Sequence, residues 1–509
     1  MIDRGMTLLT TAARVIFLVL LAGLLIARRE FAHLNLGDPA IWKWLNSTSP
    51  KVASYLFVTE TTLLALFPIA LLEVRAQFRC SSEISWNRKF TETFGREFYL
   101  PLALIAWGAL HALVAAFNSG DTYLIFRQSA LAMYPIFFIY AVIFFGQSKT
   151  QIRVAIWGAI AAAILCAAAD TMGWLDPRLD ANGRPEYGEW MPIYGQQTLP
   201  IAILGLIYFC VTTRSWIARD FAIVGLCLVG WRQGVRPMQS VVPVGILGAL
   251  GLALFMGLVL AYFKQRGPLK RTALVVAIFA VLGLGFIVLR TANKKPEQPG
   301  TEASSEVKAW RLGHYADLFA LYNRTEMPTD PALRLTSTRP PMTRVDDPEV
   351  HKLQAVFVAT STVSIRNNMW RFLVWKRMAS DWSEGHQIVG AGVGKPWFYR
   401  ALYSTGFHYG NDREGLDPHN SFLNTLYRYG IIGFVLLVAI LIATLRATFN
   451  ALKSSGGDPL LEGLLLYFGY TLVFAFFTVS LEGPPYSAPY WITLGLMYAR
   501  SRQLVRSVE

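Results

Sequence analysis

Apolar runs of about twenty residues recur along most of the chain, separated by short polar or basic connectors, and about twenty residues is the length an α-helix needs to cross a hydrocarbon layer. Twelve stretches qualify as predicted spans: residues 7–27, 52–74, 98–117, 129–146, 152–171, 194–213, 217–231, 238–262, 271–289, 428–447, 459–480 and 485–500. The pattern therefore predicts an all-α, polytopic membrane helix bundle. Nine of these spans precede one long polar stretch and three come after it. This divides the chain into an N-terminal bundle over 1–289, a large partly helical loop over 290–427, and C-terminal helices over 428–509.

Within the loop, Thr291 to Ser305 reads as a flexible linker. Apolar residues recur at helical spacing from Trp310 to Tyr322, which predicts a helix lying on the membrane or the bundle. Thr336 to Asp347 is irregular around Pro340-Pro341, and Val350 to Trp382 is long enough for one or two helices. There Arg371 and Trp375, four apart, share a helical face. The run Gly390-Ala391-Gly392-Val393-Gly394 is not a phosphate-binding P-loop, because no Lys-Ser/Thr follows in register and no strand precedes it. It predicts a tight backbone turn over the bundle.

The loop ends where a charged segment gives way to an apolar one, in HYGNDREGLDPHNSFLNTLYRYGIIG from His408 to Gly433. Asp417 is the expected N-cap and Pro418 suits the first helical position, having no N–H to lose. His419 then falls in the first turn, beside free backbone N–H groups that favour neutral imidazole and attract an anion. Asp412, Glu414 and Asp417 pull the other way. Gly430 and Gly433, three apart, form a face on which another helix can pack closely.

Composition agrees with a bilayer: 54% of residues are hydrophobic and only 16% charged, where soluble domains run near a quarter charged. The net charge of +14 is scattered between apolar runs, which fits membrane orientation and membrane lipids rather than nucleic acid. The run from Thr7 to Ala27 reads as an uncleaved first span. With the N- and C-termini in the cytoplasm, the clusters Arg75, Arg79, Arg88, Lys89, Arg96 and Lys264, Arg266, Lys270, Arg271 face inward, and the long loop lies on the opposite side. Of the four cysteines none lies in that loop, so no disulfide framework is implied. No His, Asp or Glu cluster has metal-ligand spacing, and the expected chemistry is metal-independent and cofactor-free.

The anomaly is a set of arginines on the outer side, which orientation rules would thin out: Arg127, Arg184, Arg232, Arg236 and Arg371. An arginine at a membrane edge often snorkels to lipid phosphate. Several around one mouth instead suit a diphosphate, whose oxygens guanidinium forks grip in pairs. Arg14, Glu60, His111 and Asp170 are ionisable groups inside spans, and Glu482 in the EGPPYSAPYW turn faces the outer side.

His419-Asn420, nine residues, Gly430, two residues, Gly433, closing a long polar loop in a multi-helix membrane protein, resembles the signature of the O-antigen ligase superfamily. The glycine run and Arg371-x-x-x-Trp375 resemble family features too, and the residue-level likeness is dense from about Asn367 to Gly433. The resemblance implies a bacterial inner-membrane glycosyltransferase acting on the periplasmic face with an undecaprenyl-diphosphate-linked glycan as donor. It implies a catalytic His419, with Arg371 and one of Arg232 or Arg236 on the diphosphate and Arg184 as a further family position. GWRQGVRP departs from the family's Ser-Arg-small pattern, so the choice between Arg232 and Arg236 stays open. The acceptor would be lipid A core for a ligase, another lipid-linked repeat for a polymerase, or a Ser or Thr for a protein glycosyltransferase, with ligase-like transfer the leading reading. A polysaccharide flippase and a non-catalytic assembly factor are the alternatives. The single long loop after the ninth span breaks the six-plus-six symmetry of many transporters.

Overall fold

The structure, a computed structural model, describes residues 2–26, 58–78, 86–118, 120, 122–146, 148–172, 198–213, 215–235, 371, 375, 378–379, 381–394, 419–476, 481 and 484–506. Among the described residues every extended element is a helix: α1 (Ile2–Ile26), α2 (Val58–Phe78), α3 (Trp86–Phe94), α4 (Tyr99–Phe117), α5 (Thr122–Met133), α6 (Ile136–Phe145), α7 (Lys149–Thr171), α8 (Leu199–Thr212), α9 (Trp216–Val235), α10 (Ser421–Ser454), α11 (Pro459–Ala475) and α12 (Pro484–Arg506).

Three helical stretches are long and apolar enough to cross a membrane: Arg96–Phe117, which is α4 with the 3-10 turn before it, Lys149–Ala169 of α7, and α10. A fourth forms if α5 and α6, bent by 43°, act as one span. The expected fourth span is thus two helices, because Pro135 lacks the N–H a continuous helix would need. The twelve-span count is not shown. Of the expected spans, 238–262 and 271–289 lie outside the described residues, as do the helix expected over Trp310 to Tyr322 and residues 350–370 of the helical stretch expected after it.

Among the described residues the outward faces are apolar, which is compatible with a membrane setting. Phe117 is 86% exposed and Phe221 76%, with Leu110, Leu113, Leu165 and Ile442 also exposed. Rings and branched chains at such density suit acyl chains better than water.

The core sits where α12 packs along α6 and α10. Gly495 permits that approach: a Cβ there would lie 2.6 Å from the Phe138 carbonyl oxygen and 2.8 Å from the Ala141 methyl. α10 also packs on α4, and α4 on α5, which sets the neighbourhood of the site. On the opposite end Asp458 caps α11 by accepting from the Leu461 amide at 2.9 Å and pairs with the buried Arg500 at 2.5 Å. The α3 segment, expected to be a basic connector, is an amphipathic helix whose Phe90 and Phe94 pack on Phe78 and Phe98. Arg502 donates to its Glu92 carbonyl at 3.1 Å, and Arg506 to that of Thr93 at 2.7 Å, where a helix C-terminus attracts cations.

Candidate functional site at the loop-to-helix junction

The helix that carries the polar-to-apolar switch begins at Ser421, seven residues before the expected span at 428, and its cap is Asn420. The Asn420 side chain accepts from the Leu423 amide at 2.9 Å and its carbonyl from the Asn424 amide at 3.0 Å. This corrects the sequence-based assignment of Asp417 as cap and Pro418 as first helical residue, both of which lie outside the described residues. An asparagine caps as well as an aspartate, and the one whose backbone turns into the helix takes the role.

His419 therefore precedes the helix instead of opening it. It has φ 52, in the left-handed region that histidine enters several-fold more often than most residues. Burial, and then the charge of Arg371, push its imidazole down to about 4, so it is neutral at pH 7. The helix N-terminus had been the expected source of that neutrality; burial and a neighbouring guanidinium supply it. The same electrostatic coupling brings Arg371 and His419, 48 residues apart in sequence, into one neighbourhood. Trp375 stands one helical turn from Arg371, and the buried Met378 follows on the same strip.

Gly430 does not form the helix-packing face expected of it. It breaks α10, with φ 63 and ψ −168. A break strands carbonyls on one side and amides on the other, and buried groups of that kind must find partners. The Gly390 run provides them. Ala391 N–H donates to the Tyr427 carbonyl at 2.7 Å and Gly392 N–H to that of Arg428 at 3.0 Å, while Ile431 N–H donates to the Gln387 carbonyl at 2.8 Å. Trp107 of α4 donates its indole N–H to the Tyr429 carbonyl at 3.0 Å. The loop backbone thus slots into the helix break. Side chains are excluded on both sides, since a Cβ on Gly390 would come 2.5 Å from the Gly430 nitrogen and one on Gly430 2.6 Å from the Gly390 nitrogen. Gly433 does act as a packing glycine, against Trp107 and the Tyr429 side chain.

α5 closes the junction. The Gln128 side chain accepts from the Gly394 amide at 2.8 Å, and its carbonyl accepts from the Tyr429 hydroxyl at 2.9 Å. Arg127, the preceding residue on α5, is half-buried. His111 of α4 lies between Trp107 and Tyr429, ring centroids 4.9 and 5.3 Å away, both edge-on. Leu481 N–H donates to the Ser421 hydroxyl at 3.2 Å, which brings the turn before α12 onto the first turn of α10.

Of the other sequence-predicted residues, Arg232 lies in α9, which runs to Val235, rather than in a connector, and its side chain is outside the described set. Arg184, Arg236 and Glu482 are outside it altogether, as are the side chains of Glu60 and Asp170. Arg14 is structural: its Nε donates to the Phe144 carbonyl at 2.7 Å and its charge faces Glu73. Sequence reasoning passed over Arg428, which is only 1% exposed. The signal was present, a full charge in a segment otherwise ready to enter a membrane. No group of three or more His, Cys, Asp and Glu residues suited to a metal occurs among the described residues.

No protein-family model matches the chain, and no curated protein matches it. The site's meaning therefore rests on its chemistry: an imidazole kept neutral by burial and the charge of Arg371, one residue before the cap of a long apolar helix that a glycine-rich segment grips further along by main-chain hydrogen bonds.

Proposed function

We propose that this protein is a membrane glycosyltransferase that moves a glycan from a polyprenyl-diphosphate carrier to an acceptor hydroxyl at the outer face of a bacterial inner membrane, in the manner of an O-antigen ligase. What supports the reading is a buried His419 that feels the charge of Arg371, just before a helix apolar enough to cross a membrane. A cation there stabilises the charge that develops on the departing diphosphate, usually the largest single contribution to such a transfer. The acceptor oxygen attacks the anomeric carbon from the side opposite the diphosphate, the new C–O bond forms as the bond to phosphate breaks, and the configuration inverts. The acceptor proton passes to the His419 imidazole.

Imidazole held near 4 is a weak base in the empty site, and the donor changes that. Diphosphate oxygens neutralise Arg371 and place negative charge beside the ring, which raises its proton affinity when a proton must be taken. Arg127 joins the anion site from α5; Arg184 and one of Arg232 or Arg236 complete it in this reading. A polymerase would use the same donor half-site with a second lipid-linked repeat as acceptor.

The test is transfer of a purified lipid-linked glycan by full-length protein in liposomes. His419→Ala should insert and melt close to wild type, because Asn420 does the capping, yet lose about a hundredfold to ten-thousandfold in rate. His419→Gln separates positioning from proton transfer, since an amide can hydrogen-bond a hydroxyl and cannot accept its proton. Near-normal transfer by His419→Ala would remove the active site from this junction.

A further inference from the structure

The glycine-rich segment that grips α10 carries two large apolar side chains at its turn: Ile388 is 64% exposed and Val389 51%. The backbone that presents them is fixed on both sides. The His386 carbonyl accepts from the Gly390 amide at 3.1 Å, and Gly390, with φ 90, redirects the chain just after Val389. Ile431 N–H donates to the Gln387 carbonyl at 2.8 Å, and Ile432 N–H to that of Ile388 at 3.5 Å. A backbone tied down in this way holds its two β-branched side chains, themselves stiff at χ1, where they are.

A single exposed isoleucine on a loop needs no explanation. These two belong to a larger surface. The same hydrogen bonds place Ile388 beside Ile431 and Ile432 of α10, which are also exposed. Val435 and Ile442, exposed in turn, continue from Ile431 along one face of the helix at steps of four and seven. α10 is long and apolar enough to cross a membrane, so this face is one that hydrocarbon would cover. Before the turn the chain changes character: Ser383, Glu384, His386 and Gln387 are exposed and polar, and the Gln387 amide donates back to the Ser383 carbonyl. An apolar tip with a polar shoulder suits a segment seated between hydrocarbon and water. A protein partner covering Ile388 and Val389 would meet lipid along the adjoining face of α10, whereas acyl chains cover both as one medium.

We infer that the turn at Ile388-Val389 is a membrane anchor. Its two side chains enter the hydrocarbon beside Ile431 and Ile432 and contact phospholipid acyl chains, which holds the glycine-rich segment against the break in α10. The anchor does not depend on the reaction proposed above. To test it, the full-length protein is placed in phosphatidylcholine vesicles with the fluorescent amino acid dansylalanine replacing Ile388, Val389, Val435 or Glu384, one at a time. Phosphatidylcholine brominated on its acyl chains quenches fluorophores in contact with hydrocarbon, and aqueous iodide quenches those open to water. Probes at Ile388 and Val389 should lose as large a fraction of their emission to brominated lipid as the probe at Val435, and be spared by iodide. The probe at Glu384 should show the reverse. Quenching of the Ile388 and Val389 probes by iodide overturns the anchor, and so does protection from both quenchers, which would mean that protein covers the turn. A Val435 probe spared by brominated lipid overturns it together with the lipid-facing side of α10. Unsubstituted protein gives a second measurement that needs no altered residue. A bilayer-soluble diazirine activated by light should modify Ile388 or Val389, read by mass spectrometry of the digested chain. Labelling of Ile431 and Val435 with neither turn residue modified overturns the anchor.

Discussion

Substituting Gly430 by Ala tests whether the interlock between the Gly390 run and the broken helix holds the junction together. The residue has φ 63 and ψ −168, a conformation essentially confined to glycine, and placing a side chain there costs on the order of 1–3 kcal/mol. The new methyl would overlap the Ile388 carbonyl group and approach the Gly390 nitrogen to 2.6 Å. All of these are main-chain atoms that cannot rotate aside, so the loop must back away. Withdrawal breaks the Ile431–Gln387 and Ala391–Tyr427 hydrogen bonds, and each buried group left unpaired costs about 1–3 kcal/mol. Strain and two such losses come to at least about 3 kcal/mol, a large share of the roughly 5–15 kcal/mol that holds a typical domain folded. The assay is equilibrium unfolding of the full chain, titrated from mild detergent into dodecyl sulfate and followed by tryptophan fluorescence. Gly158→Ala is the control: among the described residues nothing lies within 4 Å of its Cβ position in α7, so helix propensity should make it neutral or stabilising by about 0.5–1 kcal/mol. Gly392→Ala should fall between them, since its φ of 81 carries strain while among the described residues its Cβ would meet only His111 Nδ1 at 3.9 Å. Gly390→Ala combined with Gly430→Ala should cost far less than the two single losses added, because both break one interlock. An unfolding midpoint for Gly430→Ala equal to that of Gly158→Ala would refute the account.

Two further outcomes come from the charges. His419 binds a proton less readily folded than unfolded, so the unfolded chain takes up more protons between its ordinary value of 6.5 and about 4; stability is fully present above that window and falls as pH drops through it, by at most about 3 kcal/mol. Arg371→Gln removes the second cause of the shift, so the acid limb of the transfer-rate profile should move toward higher pH; an unmoved limb would separate the two residues. Orientation is tested with cysteines: Ser304→Cys and Thr362→Cys should react with a membrane-impermeant maleimide from outside intact inner membranes, whereas native Cys80 should need permeabilisation, and the reverse labelling would invert the topology.

Local chemistry sufficed for the helices themselves. Apolar runs of span length became α4, α7 and α10 because a membrane helix satisfies its own backbone and needs only enough apolar residues in a row. The switch from polar to apolar residues near His419 likewise marked the junction, and the pairing of Arg371 with Trp375 on one turn follows from the helical period. What no local pattern could decide were choices made by partners distant in sequence. Asn420 and Asp417 are equivalent caps until the chain direction is fixed. Gly430 looks like a helix-packing glycine until Gly390, forty residues earlier, is found against it, supplying the hydrogen bonds that make a break tolerable. Arg428 drew no notice in the sequence, yet it is buried in the folded chain, with its carbonyl taken by the Gly392 amide. In each case the residue's own preferences allow two states of similar energy, and buried main-chain hydrogen bonds formed across the tertiary structure select one.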